Sequence, residues 1–183
     1  MTALSRKSVS GRIPLYSLYG RTDAEAELSF VHLETLESGN EGHDWNILAH
    51  RHHDLYQIIW VSRGDGTVEL DAHTLFLRSP VLIYVPPLVV HGFRWRPGSD
   101  GFILTMAATP LAGIIGQAQA PEIVSVQDQP LVITEDTTKK EDVLKIKNLF
   151  AAISGEYIQD LPCRDVAISS NILLLLVEIA RLR

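Results

Sequence analysis

Two stretches of this sequence concentrate the side chains that could do chemistry: His50-Arg51-His52-His53-Asp54-Leu55-Tyr56-Gln57 and Pro86-Pro87-Leu88-Val89-Val90-His91. The first places two imidazoles on alternate residues. Alternate residues of a strand share a face, so His50 and His52 point the same way. His91 begins a second alternating run, in which His91, Phe93 and Trp95 share one face and Arg94 and Arg96 take the other. In the strand between them, Leu55, Gln57, Ile59, Val61 and Arg63 form one face, and Tyr56, Ile58 and Trp60 the opposite one. Three histidines and a glutamine would thus converge inside a small barrel. Arg63 would face the same interior by parity. A buried unpaired charge is very costly, so an arginine there needs an anion, and its fork suits a carboxylate. The alternatives are an internal ion pair with Glu69 or Asp71, or exposure at the barrel mouth. Phe93, Trp95, Leu48, Ile59 and Val61 would wall an aromatic ring or simply form core.

The elements that must position these residues are mostly β. From Glu27 to about Ala107, short runs such as Leu28-Ser29-Phe30-Val31-His32, Leu55–Val61 and Phe102–Met106 are separated by turn residues. Arg63-Gly64-Asp65-Gly66-Thr67 predicts a tight hairpin. The fold class is mainly β with α: a jelly-roll barrel over 21–110 followed by a C-terminal helix pair. Residues 1–20 form an arm whose segment Ile13–Tyr19 is apolar enough to cap a barrel end or to close over a pocket. Residues 111–136 read as an irregular connector broken by Pro121 and Pro130, with a helical turn near Leu111–Ile115. Thr138-Lys139-Lys140-Glu141 predicts a capping box. One helix follows, and Asp160-Leu161-Pro162 ends it.

A second helix runs from about Arg164 to the terminus. Its apolar residues cover more than one stripe, which calls for burial on two sides. One side is assigned to the barrel or first helix and the other to a second subunit. That makes Leu149, Ile153, Ile172, Leu173, Leu176 and Ile179, within a 137–183 segment, the expected dimerisation residues. The sequence stops in this helix at Arg183, as a piece of a longer protein would.

With 183 residues and a net charge of -6, this segment is not expected to grip nucleic acid by itself, since phosphate binding needs a basic surface. Lys139, Lys140, Lys145 and Lys147 read as the wet face of a helix. The single cysteine, Cys163, excludes an internal disulfide and fits a reducing cytoplasm. The longest apolar run, Ile172–Val177, is too short to span a membrane.

Taken as a set, Ile13-Pro14…Leu18-Tyr19-Gly20, His43-Asp44-Trp45, His50-Arg51-His52 with Asp54-Leu55 and Gln57, Arg63-Gly64, and Val85-Pro86-Pro87…Val90-His91-Gly92-Phe93 resemble a cupin barrel, specifically the effector-binding domain of AraC/XylS-type transcriptional regulators. Within that family they look like the regulators of 4-hydroxybenzoate catabolism. The resemblance implies an effector-binding homodimer that is not an enzyme, with DNA bound by a separate helix-turn-helix domain absent from this sequence. It implies that the arm, with Tyr16, closes on the effector, and that Arg63 and His91 match effector contacts. The ligand set is then Arg63, His50, His52, Gln57, His91, Phe93, Trp95, Ile59 and Tyr16, and the effector a small aromatic acid.

Enzymatic cupins bind a metal through a His-x-His pair, a glutamate and a later histidine. Here Gln57 takes the glutamate's place and is a weaker donor. No cofactor is therefore favoured; if a metal were held, His50, His52 and His91 would hold it. A metal-dependent cupin enzyme, an oxygenase or isomerase, is the alternative function.

Overall fold

The computed structural model describes residues 15–16, 31–40, 44–124, 129–135, 138–159 and 161–183. The expected arm outside Leu15–Tyr16, the Leu28–Phe30 run and His43 lie outside the described residues. In chain order the elements are β1 (Leu15–Tyr16), β2 (Val31–Thr35), α1 (Leu36–Asn40), β3 (Asn46–His52), β4 (Leu55–Arg63), β5 (Asp65–Leu70), β6 (His73–Arg78), β7 (Val81–Val85), β8 (His91–Trp95), β9 (Asp100–Ala107), α2 (Ala108–Ala118), α3 (Pro121–Val124), β10 (Leu131–Thr134), α4 (Lys140–Ile158) and α5 (Arg164–Leu182). They make two five-stranded sheets, one in the order β1-β3-β8-β5-β6 and the other β10-β7-β4-β9-β2. All pairings are antiparallel except β1 with β3. This is the mainly β architecture with C-terminal helices that the strand pattern predicts.

The two sheets differ in what covers them, and their sequences show it. In the second sheet, β4 and β7 are apolar on both faces, as strands covered on both sides must be. Ile59, Val61, Val81, Ile83 and Val85 pack into the barrel with Val68, Phe93 and Trp95. Their neighbours Ile58, Trp60, Leu82 and Tyr84 pack outward against the helices. Among the described residues the first sheet is covered on one face only. There Thr67, Arg94 and Phe76 alternate with buried Val68, Phe93 and Leu77, and Phe76 and Leu48 stand 60% and 74% exposed.

Four expectations are corrected here. The segment Arg63–Thr67 is not a hairpin: β4 pairs with β7 and β9, whereas β5 pairs with β6 and β8, so Gly64 turns the chain from one sheet to the other. Gly64 has φ 118°, and a Cβ there would stand 2.9 Å from the Ser99 Cα as well as against its side chain. Gly64→Ala is expected to destabilise the domain by about 1–3 kcal/mol, the usual scale of backbone strain at such a position, read from the urea midpoint at unchanged m-value. Second, the connector is more ordered than expected: it carries α2, α3 and β10, and β10 joins the second sheet beside β7. Third, the capping box does not form. Lys139 is the N-cap, no side chain caps the helix, and the Thr138 hydroxyl is buried without a hydrogen-bond partner.

The fourth concerns the helix pair. Ile153, Ile172, Leu176 and Ile179 are almost wholly buried within their own chain, in one core cluster with residues of α2, α3 and the outward face of the second sheet. Both sides that α5 must bury are found inside one subunit, because that sheet offers a broad apolar outer face that helical periodicity alone does not reveal. Leu149 and Leu173 are half-buried at the margin. The exposed large apolar side chains of the pair are Leu144, Ile158, Val166 and Leu174. No helix among the described residues is long and apolar enough to cross a membrane.

Candidate functional site

The two histidine stretches meet because β3 and β8 are neighbours. His50 and His91 are directly opposite in the ladder, after a register shift in β3 between Ile47 and His50. Side chains of opposed residues lie on the same face, and both rings turn into the barrel. The backbone locks the two stretches together. The Leu88 N–H donates to the His52 carbonyl at 2.8 Å, and the Asp71 N–H donates to the Val90 carbonyl at 2.7 Å. The Val90 N–H donates in turn to Asp71 Oδ1 at 3.1 Å, which fixes the chain just before His91.

Ring centroids are 4.3 Å apart for His50 and His91, 5.0 Å for His50 and His52, and 5.4 Å for His52 and His91. His50 and His91 are oriented by the same device. Each Nδ1 lies within hydrogen-bond distance of a main-chain carbonyl two residues back, Leu48 at 2.8 Å and Val89 at 2.9 Å. A carbonyl can only accept, so each Nδ1 carries a proton, and Nε2 is the atom at which a neutral ring keeps its lone pair. His91 Nε2 is buried with no hydrogen-bond partner. Burial, reinforced by the nearby His50 imidazole, pushes the His91 pKa from 6.5 down to about 3 against the raising effect of the Val89 carbonyl, with His52 adding to the fall. His91 is therefore a neutral electron-pair donor at physiological pH.

Aromatic wall residues continue from the triad along β8. His91 and Phe93 are 5.7 Å apart, and Phe93 stacks on Trp95 at 6.0 Å and 12°. Ile59 is buried on the facing sheet. Gln57 is half-buried, and its Nε2 donates to the buried Thr105 hydroxyl at 3.3 Å. Thr105 is a site residue that sequence reasoning missed. Its signal is a polar side chain in step with Ile103 on the inward face of an otherwise apolar strand. Tyr16 pairs through its backbone with His52 in the parallel β1–β3 contact, which puts that part of the arm beside the histidine stretch.

The structure moves two candidates out of the interior. The β4–β9 register shifts between Val61 and Arg63, which breaks the parity, and Arg63 is exposed at the strand end. It stands six residues from Gln57, about 20 Å along an extended strand. Leu48, beside the β3 irregularity, faces outward. Arg94 and Arg96 are exterior as expected, bonded to Asn46 Oδ1 at 3.2 Å and Asp65 Oδ1 at 3.3 Å. His53 and His73 are exposed, and His32 meets the Tyr157 hydroxyl of α4 at 3.3 Å.

The ligand atoms of His50, His52 and His91 all lie within 4.8 Å of one another. A neutral His91 whose buried Nε2 lacks a partner fits a transition-metal ion, and main-chain carbonyls holding the Nδ1 atoms of His50 and His91 are the usual outer support of such ligands.

The sequence matches the model of the AraC-like ligand binding domain over residues 36–174. The chain belongs to this family. The AraC-like domain also resembles solved structures: apo ToxT from Vibrio cholerae at 8% identity, over 82% of this chain and 56% of that one, with a TM-score of 0.48; the AraC-like transcriptional activator CuxR at 11%, over 68% and 43%, TM-score 0.42; and KdgF from Halomonas sp. at 25%, over 34% and 58%, TM-score 0.32. The match thus spans little more than half of ToxT and less than half of CuxR. No curated protein sequence matches the chain.

Proposed function

We propose that this AraC-like domain is the effector sensor of a transcriptional regulator and takes a small aromatic acid, 4-hydroxybenzoate first, inside its barrel. The observation that carries the reading is the interior run from the three histidines through Phe93 to Trp95: polar atoms at one end, stacked aromatic faces beyond. Such a combination of apolar walls and a few convergent polar groups is what small-molecule sites share. The choice of a hydroxybenzoate rests on the motif resemblance. With Arg63 outside, the acid group is assigned to the histidine end and the ring to Phe93 and Ile59. Gln57 offers an amide to whichever oxygen reaches it. DNA would be bound through a separate domain and the sensor would work in the cytoplasm.

Binding can shift the regulator only if the effector prefers one of two arrangements. The reporters of that difference would be the arm at Tyr16, beside His52, and the helix pair. Isothermal titration with 4-hydroxybenzoate, 3-hydroxybenzoate and benzoate tests the reading. One saturable hydroxybenzoate isotherm is expected, weakened at least tenfold, or about 1.4 kcal/mol, by Phe93→Ala and left unchanged by Arg63→Ala. No heat with any of the three acids and folded protein would remove the effector class. Catalytic turnover of the bound acid would favour the cupin-enzyme alternative instead.

A homodimer through the helix pair remains part of the proposal, with its face moved to the exposed Leu144, Val166 and Leu174. Leu174→Glu is expected to shift sedimentation from dimer to monomer with little change in melting temperature, because that side chain is 53% exposed within the subunit.

A further inference from the structure

We propose that the outer face of the first sheet carries a second ligand site, a hollow above Gly92 that takes a small zwitterion: an α-amino acid with an apolar side chain. The site lies on the opposite face of β8 from His91 and Phe93 and does not depend on the effector reading. Its shape follows from the strand pairing. Ile47 is opposite Phe93 and His50 opposite His91, so two residues of β3, Leu48 and Ala49, stand against one of β8, Gly92. Such a bulge bends its strand and leaves one residue out of the ladder. A Cβ on residue 92 would lie 3.0 Å from the Ala49 nitrogen and 3.1 Å from the Ile47 oxygen, so glycine is what fits. With no side chain at that place, the outer face keeps a hollow of about 260 Å³. That is just below the roughly 300–1,000 Å³ of pockets for drug-sized molecules, and it suits a smaller one.

The rim supplies one cation and one anion that do not meet. Arg94 is opposite Asn46 on one side and Thr67 on the other. Its Nε donates to Asn46 Oδ1 at 3.2 Å. That bond steadies the guanidinium and leaves its terminal N–H groups, which suit a carboxylate. Glu69 is opposite Gly92, two residues along β5 from Thr67. Diagonal neighbours of this kind are about 7–8 Å apart, a distance that long side chains can bridge. Yet among the described residues no ion pair or hydrogen bond engages the Glu69 carboxylate. Arg94 and Glu69 both line the hollow, and Leu48, exposed on the same face, adds an apolar wall. A simple anion placed there would be repelled by Glu69, and a simple cation by Arg94. A molecule with both charges on neighbouring atoms satisfies both, with its carboxylate on Arg94 and its ammonium on Glu69. One exposed ion pair contributes little. Two made by a single molecule, with an apolar group against Leu48, together give a dissociation constant on the order of 1 mM.

The test titrates the full isotope-labelled chain with leucine, methionine and phenylalanine while its backbone amide resonances are followed. Saturable shifts at Glu69, Gly92 and Arg94 are expected with at least one of the three. N-acetylation of that amino acid removes its positive charge and esterification its negative one; each should weaken binding by at least about tenfold. Arg94→Gln and Glu69→Gln should do the same, and both side chains are exposed, so neither change threatens the fold. No saturable shift with any of the three amino acids and folded protein overturns the proposal. So does equally strong binding of the acetylated or esterified form, since one charge would then suffice. Binding that survives both substitutions also overturns it, because the ligand would then sit elsewhere.

Discussion

Acidifying the metal-free domain from pH 7 to pH 4 will cost about 3 kcal/mol through His91 alone, and His91→Phe will remove that part of the loss. A histidine in the unfolded chain takes its proton near 6.5, while His91 in the barrel does so only near 3. Between those values the unfolded state binds the extra proton, so stability rises with pH there. The contribution is complete above about pH 6.5 and is lost as pH falls towards 3. At 1.36 kcal/mol per unit, the interval from 6.5 to 4 supplies the stated figure. Carboxylates add their own acid dependence. The informative measurement is therefore the difference between native and variant urea-unfolding free energies at pH 7, 5.5 and 4, all with EDTA present. Curves that stay parallel would show that the ring takes its proton without unfolding the barrel.

Phe150→Ala should cost about 3–5 kcal/mol, the range for removing a fully buried phenylalanine, because the cavity would open where the helices meet the barrel. Phe150 is 0% exposed and stacks on Trp60 at 6.3 Å and on Phe102 at 6.1 Å. Those partners are outward residues of β4 and β9, so one side chain on α4 bridges the helix pair and the sheet whose other face lines the barrel. The expected result is a lower urea midpoint with an unchanged m-value and a single transition. A biphasic transition would mean that the helix pair unfolds independently, and that the barrel does not need it.

The inward face of β8, the alternation in β4 up to Val61 and the break between the two long helices are legible in the residue pattern alone, because each depends on local rules: period two, period 3.6, and the helix-stopping Asp160-Leu161-Pro162. The parts that pattern misplaces depend on what a segment meets. Thr138 has capping chemistry, yet Lys139 starts the helix. Gly64 has hairpin chemistry, yet its strands belong to different sheets. The apolar girth of α5 correctly signals two covered sides; it does not signal which bodies cover them, since Ile172 and Leu176 belong to one core cluster with the chain's own helices and the outward residues of its second sheet.

By itself, then, the sequence determined the mainly β class, the helix pair, the three histidines on inward faces and the family motifs, all properties of residue type and spacing along the chain. Only the tertiary structure decided that His50 and His91 are opposed across one ladder with ring centroids 4.3 Å apart, and that Arg63 lies outside. The physical reason is the same in both cases. One irregular residue in a strand shifts every later side chain to the other face, and such irregularities, between Ile47 and His50 and between Val61 and Arg63, are set by strand pairing at a distance and leave no periodic mark in the sequence.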